Sequence, residues 1–181
     1  MELKEHIRRH LVDGRLPEDY VLPPQKPFQP QSYTQAQLAR RLRGVVRAVQ
    51  RPDWARLHYN AAERRLFRIA NAVPIELLRE PLKDAFLSRG DRLNYEALGG
   101  FTRQCLQSKN AETVKCGLVL TTILPYPKAF QAQPVPPYLW AMMIRDAQTL
   151  LAYSDFRALA KESLAYLSGA NDPVRNPQIN R

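Results

Sequence analysis

The stretch TQAQLARRLRGVVRAVQRP, residues 34–52, decides the fold. Wound at 100° per residue, Leu38, Leu42, Val45, Val46 and Val49 fall within about 100° of arc, which is one apolar face of an α-helix. A two-residue period would scatter the same side chains over both faces of a strand. Thr34 is the expected N-cap and Pro52 the stop.

Toward the C-terminus the helical period recurs. After Asp53, a second candidate cap, Tyr59, Ala62, Leu66, Ile69, Ala70 and Val73 form another stripe that ends at Pro74. Residues 75–88 make the next segment, in which Pro81 is expected to break or kink the helix before Gly90. Asn94 caps residues 95–108. Gly99 and Gly100 there each cost about 1 kcal/mol relative to alanine, and close packing of a neighbouring backbone would explain the pair. Asn110 caps the most apolar segment, which runs through Leu124 and reads as the central helix. Pro125, Pro127, Pro134, Pro136 and Pro137 define a stiff loop. Residues 138–153 and 155–167 then give two last helices, with Ser154 as cap of the second and Gly169 as its stop.

No segment alternates with period two between hairpin turns, so the expected class is all-α. The architecture is a helical bundle or a short array of three antiparallel helix pairs, beginning near residues 53, 94 and 138. That spacing of about 40 residues suits stacked helix-pair repeats. Toward the N-terminus, Leu3, Ile7 and Leu11 mark a short amphipathic helix before Gly14, and Pro17, Pro23, Pro24, Pro27 and Pro30 mark an extended arm. The division is therefore a helix and Pro-rich arm over 1–31, a single all-α domain over 32–169 and a C-terminal tail over 170–181.

The segment NAETVKCGLVLTTIL, residues 110–124, resembles the second helix of a HEAT-type repeat. Val114, Lys115, Gly117 and Leu118 carry the pattern, and residues 154–167 match it more loosely through Arg157, Ala160 and Leu164. The resemblance implies a binding scaffold with partners and no chemistry.

The chain has 181 residues, enough for one ordinary core, with 27 Lys plus Arg against 17 Asp plus Glu, a formal charge of +10. That balance favours an anionic partner. No apolar run reaches the roughly 20 residues of a membrane span. Residues 1–5 lack a signal peptide's apolar stretch, and Cys105 and Cys116 make no disulfide framework, so a cytoplasmic or other reducing compartment is expected.

The excess charge is clustered. Arg40, Arg43, Arg47 and Arg51 lie within about 80° of one another, opposite the Leu38 stripe. Arg64 and Arg68 lie opposite the apolar stripe of the following helix, with Arg56 and Arg65 toward its flanks. Residues 34–68 carry nine arginines against Asp53 and Glu63, a net of +7, whereas residues 91–181 carry a net of +3. Arginine outnumbers lysine 20 to 7, and its planar fork grips phosphate oxygens in pairs. Trp54, Tyr59 and Phe67 are near enough to stack on a base, although Tyr59 falls on the apolar stripe.

Other constellations are incomplete. His6 and His10 could hold two corners of a metal site but lack a third ligand, and His58 with Glu63 and Asp53 lacks a nucleophile. Cys105 and Cys116 read as small buried hydrophobes, and Trp140, Met142, Met143 and Ile144 as core. No metal or cofactor is expected. The expected function is a non-catalytic basic subunit that grips DNA or RNA backbone through Arg40, Arg43, Arg47, Arg51, Arg64 and Arg68, within a larger nucleoprotein assembly. The alternative is a HEAT-like protein-interaction module that meets an acidic protein surface on the same cations. Either would contact other subunits through the Pro-rich arms.

Overall fold

The computed structural model describes residues 33–50, 56–127 and 134–169. The chain is all-α. Among these residues stand seven α-helices and no strand: α1 Gln35–Val49, α2 Arg56–Ala70, α3 Ile75–Leu87, α4 Tyr95–Leu106, α5 Ala111–Thr121, α6 Pro137–Leu150 and α7 Arg157–Leu167. A 3₁₀ turn at Gly90–Arg92 precedes α4. No helix among the described residues is long and apolar enough to cross a membrane. Arg51, Asp53 and Trp54, the arm and its histidines, and the tail from residue 170 lie outside the described residues.

Local chemistry sets three helix starts where the sequence places them. Thr34 closes a reciprocal capping box with Gln37, its hydroxyl accepting from Gln37 N at 3.2 Å while Gln37 Oε1 accepts from Thr34 N at 3.0 Å. Asn94 accepts from Ala97 N, and Asn110 from Thr113 N. Two expectations fail. Pro81 sits inside an unbroken α3, because Leu78, Leu82 and Phe86 are fully buried on both sides of it. Burial of each contributes on the order of 2 kcal/mol, enough to offset the backbone hydrogen bond that proline removes. Ser154 caps nothing: α6 ends at Leu150, turns occupy residues 151–156, and α7 begins at Arg157 without a side-chain cap. The guanidinium of Arg157 instead donates to the Leu151 carbonyl at 3.0 Å and ties the turns together.

The helices form two layers, and successive helices alternate between them. α1, α3, α5 and α7 pack side by side in one layer, and α2, α4 and α6 in the other. Across the layers α1 packs on α2, α4 on α5, and α6 on α7. The first expected pair therefore has a different membership. α2 and α3 do not pack as a hairpin; α2 packs on α1, and both α2 and α3 reach α5. Each buries its own stripe against the same neighbours, Ala62, Leu66 and Ile69 in α2 and Ile75, Leu78, Leu82 and Phe86 in α3, with both helices packed on α1 and α5. α5 is central, as its composition implies, with Val114, Cys116, Leu118, Val119 and Leu120 all buried.

Close approaches fix the crossings. A Cβ on Gly117 would lie 3.0 Å from the Leu106 backbone nitrogen, so α5 crosses α4 nearly backbone to backbone. The Gly99-Gly100 pair answers to side chains, with Val135 Cγ1 at 3.1 Å and Tyr59 Oη at 2.8 Å from the missing Cβ atoms, and not to a backbone. Asn71 and Asn110 exchange amide hydrogen bonds at 3.2 Å and pin the end of α2 to the start of α5.

Candidate nucleic-acid interface

The arginine-rich helix forms as the periodicity requires. Leu42, Val45, Val46 and Val49 are buried, and Arg40, Arg43 and Arg47 are exposed on the other side. On α2, Arg64 and Arg68 are exposed while Leu66 and Ile69 are buried. Packing α1 against α2 opens a cleft of about 830 Å³ lined by Tyr33, Arg40, Arg41, Gly44, Arg47, Arg65, Arg68 and Ile69. Of the residues picked out by periodicity, the cleft gathers Arg40, Arg47 and Arg68. Arg43 and Arg64 are exposed outside its lining, and Arg51 is not among the described residues.

Arg41 and Arg65 complete the cleft; the stripe argument leaves Arg65 on a flank and does not single out Arg41. The signal that marks them is Gly44. On a helical projection Gly44 falls between Arg40 and Arg41, and it is buried because α2 lies over it. Without a side chain there, the Arg65 guanidinium reaches the α1 backbone and donates from Nη1 to the Gly44 carbonyl at 3.1 Å. One of its five donors is thereby committed, while the residue lines the cleft.

No carboxylate among the described residues lines this cleft. Among the described residues, none of Arg40, Arg41, Arg43, Arg47, Arg64, Arg65 and Arg68 has an acidic partner. The described ion pairs all lie elsewhere: Arg79–Glu162, Lys83–Glu80, Arg103–Asp146 and Lys115–Glu112. The only acid on α2, Glu63, faces away from the cleft and accepts from Gln104 Nε2 at 2.6 Å. Five like charges held together without a counter-charge among the described residues can accommodate an anion, since ligand or solvent ions relieve their mutual repulsion.

A second groove, of about 900 Å³, lies on the α2–α4–α6 layer. Phe67, Tyr138 and Met142 line it and are 39%, 65% and 37% exposed, so Phe67 and Met142 stand outside the core while Met143 and Trp140 are buried. Glu63, Gln104 and Gln107 give it a polar wall, and Gln104 also donates to Asn60 at 2.9 Å. Arg103 in the same wall is held by Asp146 at 3.3 Å. Burial pushes the Asp146 carboxyl up, against the opposing pull of Arg103. Tyr59 is half-buried against Phe101, with ring centroids 6.4 Å apart, and burial followed by the Glu96 and Tyr138 charges raises its phenol. The apolar stripe places Tyr59 in the core, and it is partly buried and packed against the core. No group of His, Cys, Asp and Glu among the described residues is arranged to hold a metal ion.

No family model, no curated protein and no solved structure matches the chain.

Proposed function

We propose that this chain is a non-catalytic subunit that binds nucleic-acid backbone without reading sequence, as part of a larger nucleoprotein assembly. The observation that carries the reading is the cleft in which Arg40, Arg41, Arg47, Arg65 and Arg68 converge with no carboxylate among the described residues that line it. A guanidinium fork meets phosphate oxygens in pairs, and each phosphate neutralised releases counterions to solution. The chemistry that five converging guanidinium groups support is charge neutralisation. A salt series tests this directly. Affinity falls steeply with salt, and the pair Arg40→Gln and Arg68→Gln flattens the slope on duplex DNA by about two units. Failure to bind duplex DNA, single-stranded DNA and RNA at low salt overturns the proposal.

A second reading is favoured by the alternation of layers along the chain, which is the packing habit of helical-repeat scaffolds. In that reading the same arginines dock an acidic protein surface. Poly-glutamate that competes as well as an oligonucleotide of equal charge would favour it, because carboxylates and phosphates then serve alike.

A further inference from the structure

We infer that the bound polymer is single-stranded, with its phosphates in the arginine cleft and its bases stacked on Phe67 and Tyr138 in the groove on the other side of α2. The inference rests on the backbone-binding reading and adds the class of nucleic acid. Cleft and groove are two flanks of one helix. Around α2, Phe67 lies about 60° from Arg64 on one side and Arg65 about 100° on the other. The exposed guanidinium groups of Arg64 and Arg68 form the ridge between the two flanks.

Charge separates the flanks. Among the described residues the cleft has five arginines and no carboxylate, whereas in the groove Glu63 offsets Lys109 and the one arginine is tied to Asp146. A phosphate is therefore drawn to the first far more than to the near-neutral second, while a neutral base is not. Three large apolar side chains exposed in one groove signal a ligand surface. Two of the three are aromatic, the platform on which bases of any identity stack, and the exposed amide of Gln107 stands beside them for base edges. Bases inside a duplex are already stacked on each other and cannot reach such a platform. A strand that straddles the Arg64–Arg68 ridge satisfies both flanks at once.

The test compares a single-stranded 12-mer of DNA, the same sequence in RNA, a hairpin duplex and an abasic 12-mer by fluorescence anisotropy at several salt concentrations. The expected result is that both single strands bind more tightly than the duplex and the abasic strand. Phe67→Ala weakens single-strand binding about 5- to 100-fold. It leaves duplex affinity and the salt slope unchanged, because it removes stacking and no ion contact. Tyr138→Ala, at the most exposed of the three positions, gives an independent second reading of the same loss. Melting curves establish that both variants are folded. An abasic strand that binds as tightly as the natural one, unchanged single-strand binding in both variants, or an equal loss on duplex overturns the inference while a retained salt slope leaves backbone binding standing. Wild-type protein that binds none of the four polymers overturns both.

Discussion

Arg65 Nη1 donates to the carbonyl of Gly44 at 3.1 Å, and a Cβ placed on Gly44 would lie 3.3 Å from that same nitrogen. A glycine in the middle of α1 thus acts as the seat for a guanidinium from α2. The seat has a measurable consequence, because no other atom lies within 4 Å of the absent Cβ. Gly44→Ala requires only a small shift of a flexible side chain and removes a helix glycine, so stability holds or rises by up to about 1 kcal/mol. Gly44→Leu fills the seat and expels the Arg65 guanidinium. The expected outcome is an unfolding midpoint within about 1 kcal/mol of wild type together with a salt slope lower by about one unit. An unchanged slope in Gly44→Leu would show that Arg65 contributes no phosphate contact.

The same residues show what a sequence discloses and what it withholds. Thr34, Asn94 and Asn110 are legible because a cap is settled within three residues of itself. The exposure of Arg40, Arg43 and Arg47 is legible because one helical period divides α1 into a wet and a dry side. Partner choice is not local. Whether α2 packs on α1 or on α3 depends on which buried stripe reaches it, and both candidates carry one. Pro81 is unfavourable when only its neighbours are weighed, yet the burial of Leu78, Leu82 and Phe86 prevails. Arg41 and Arg65 belong to the cleft only because α2 lies over Gly44. Phe67 and Tyr138, more than 70 residues apart, line one groove, which no periodicity reports.

At Gly117 the close neighbour is backbone. A Cβ there would stand 3.0 Å from both Leu106 N and Cys105 Cβ, and neither can swing aside without moving α4. Gly117→Ala is therefore expected to lower stability by about 1–3 kcal/mol despite alanine's better helix propensity. Gly99→Ala, whose nearest obstacle is the Val135 side chain at 3.1 Å, is expected to cost less. Urea unfolding of the two variants beside wild type checks the order. The opposite order would mean that α4 and α5 cross with slack.

α5 and α7 share a buried polar contact, with Thr121 Oγ1 and Ser163 Oγ 2.6 Å apart. Thr121 also donates to the Leu118 carbonyl at 2.6 Å, which commits its one proton, so Ser163 is the donor between the two hydroxyls. The two deletions are then unequal. Ser163→Ala leaves Thr121 bonded to Leu118 and costs about 1 kcal/mol or less. Thr121→Val leaves the Ser163 hydroxyl buried without that acceptor and costs about 1–3 kcal/mol. Equal costs in a double-mutant cycle would contradict this direction of the bond.

Alkaline pH acts on the core through its thiols. Burial pushes Cys116 up from 9.0 to about 12, with Glu112 adding and Lys115 opposing, and raises Cys105 well above 9.0 with Cys116 and Glu63 adding. Both groups ionise more readily in the unfolded chain than in the fold. The unfolded state therefore loses its protons first as pH rises past about 9, and the folded state is progressively disfavoured until its own thiols ionise, near 12 for Cys116. Each thiol lowers stability by about 1.4 kcal/mol per pH unit in that window, and below it contributes no pH dependence. Tyr59, raised from 10.0, adds to the same trend above pH 10. Urea midpoints should thus be level between pH 7 and 8 and fall markedly by pH 10.5. Cys116→Ala should be less stable than wild type at pH 7 through the small cavity it leaves, yet lose less between pH 8 and 10.5, because one titrating group is gone. Parallel declines in the two proteins would mean that the Cys116 thiol ionises as easily in the fold as in the open chain, which its burial beneath α4 forbids.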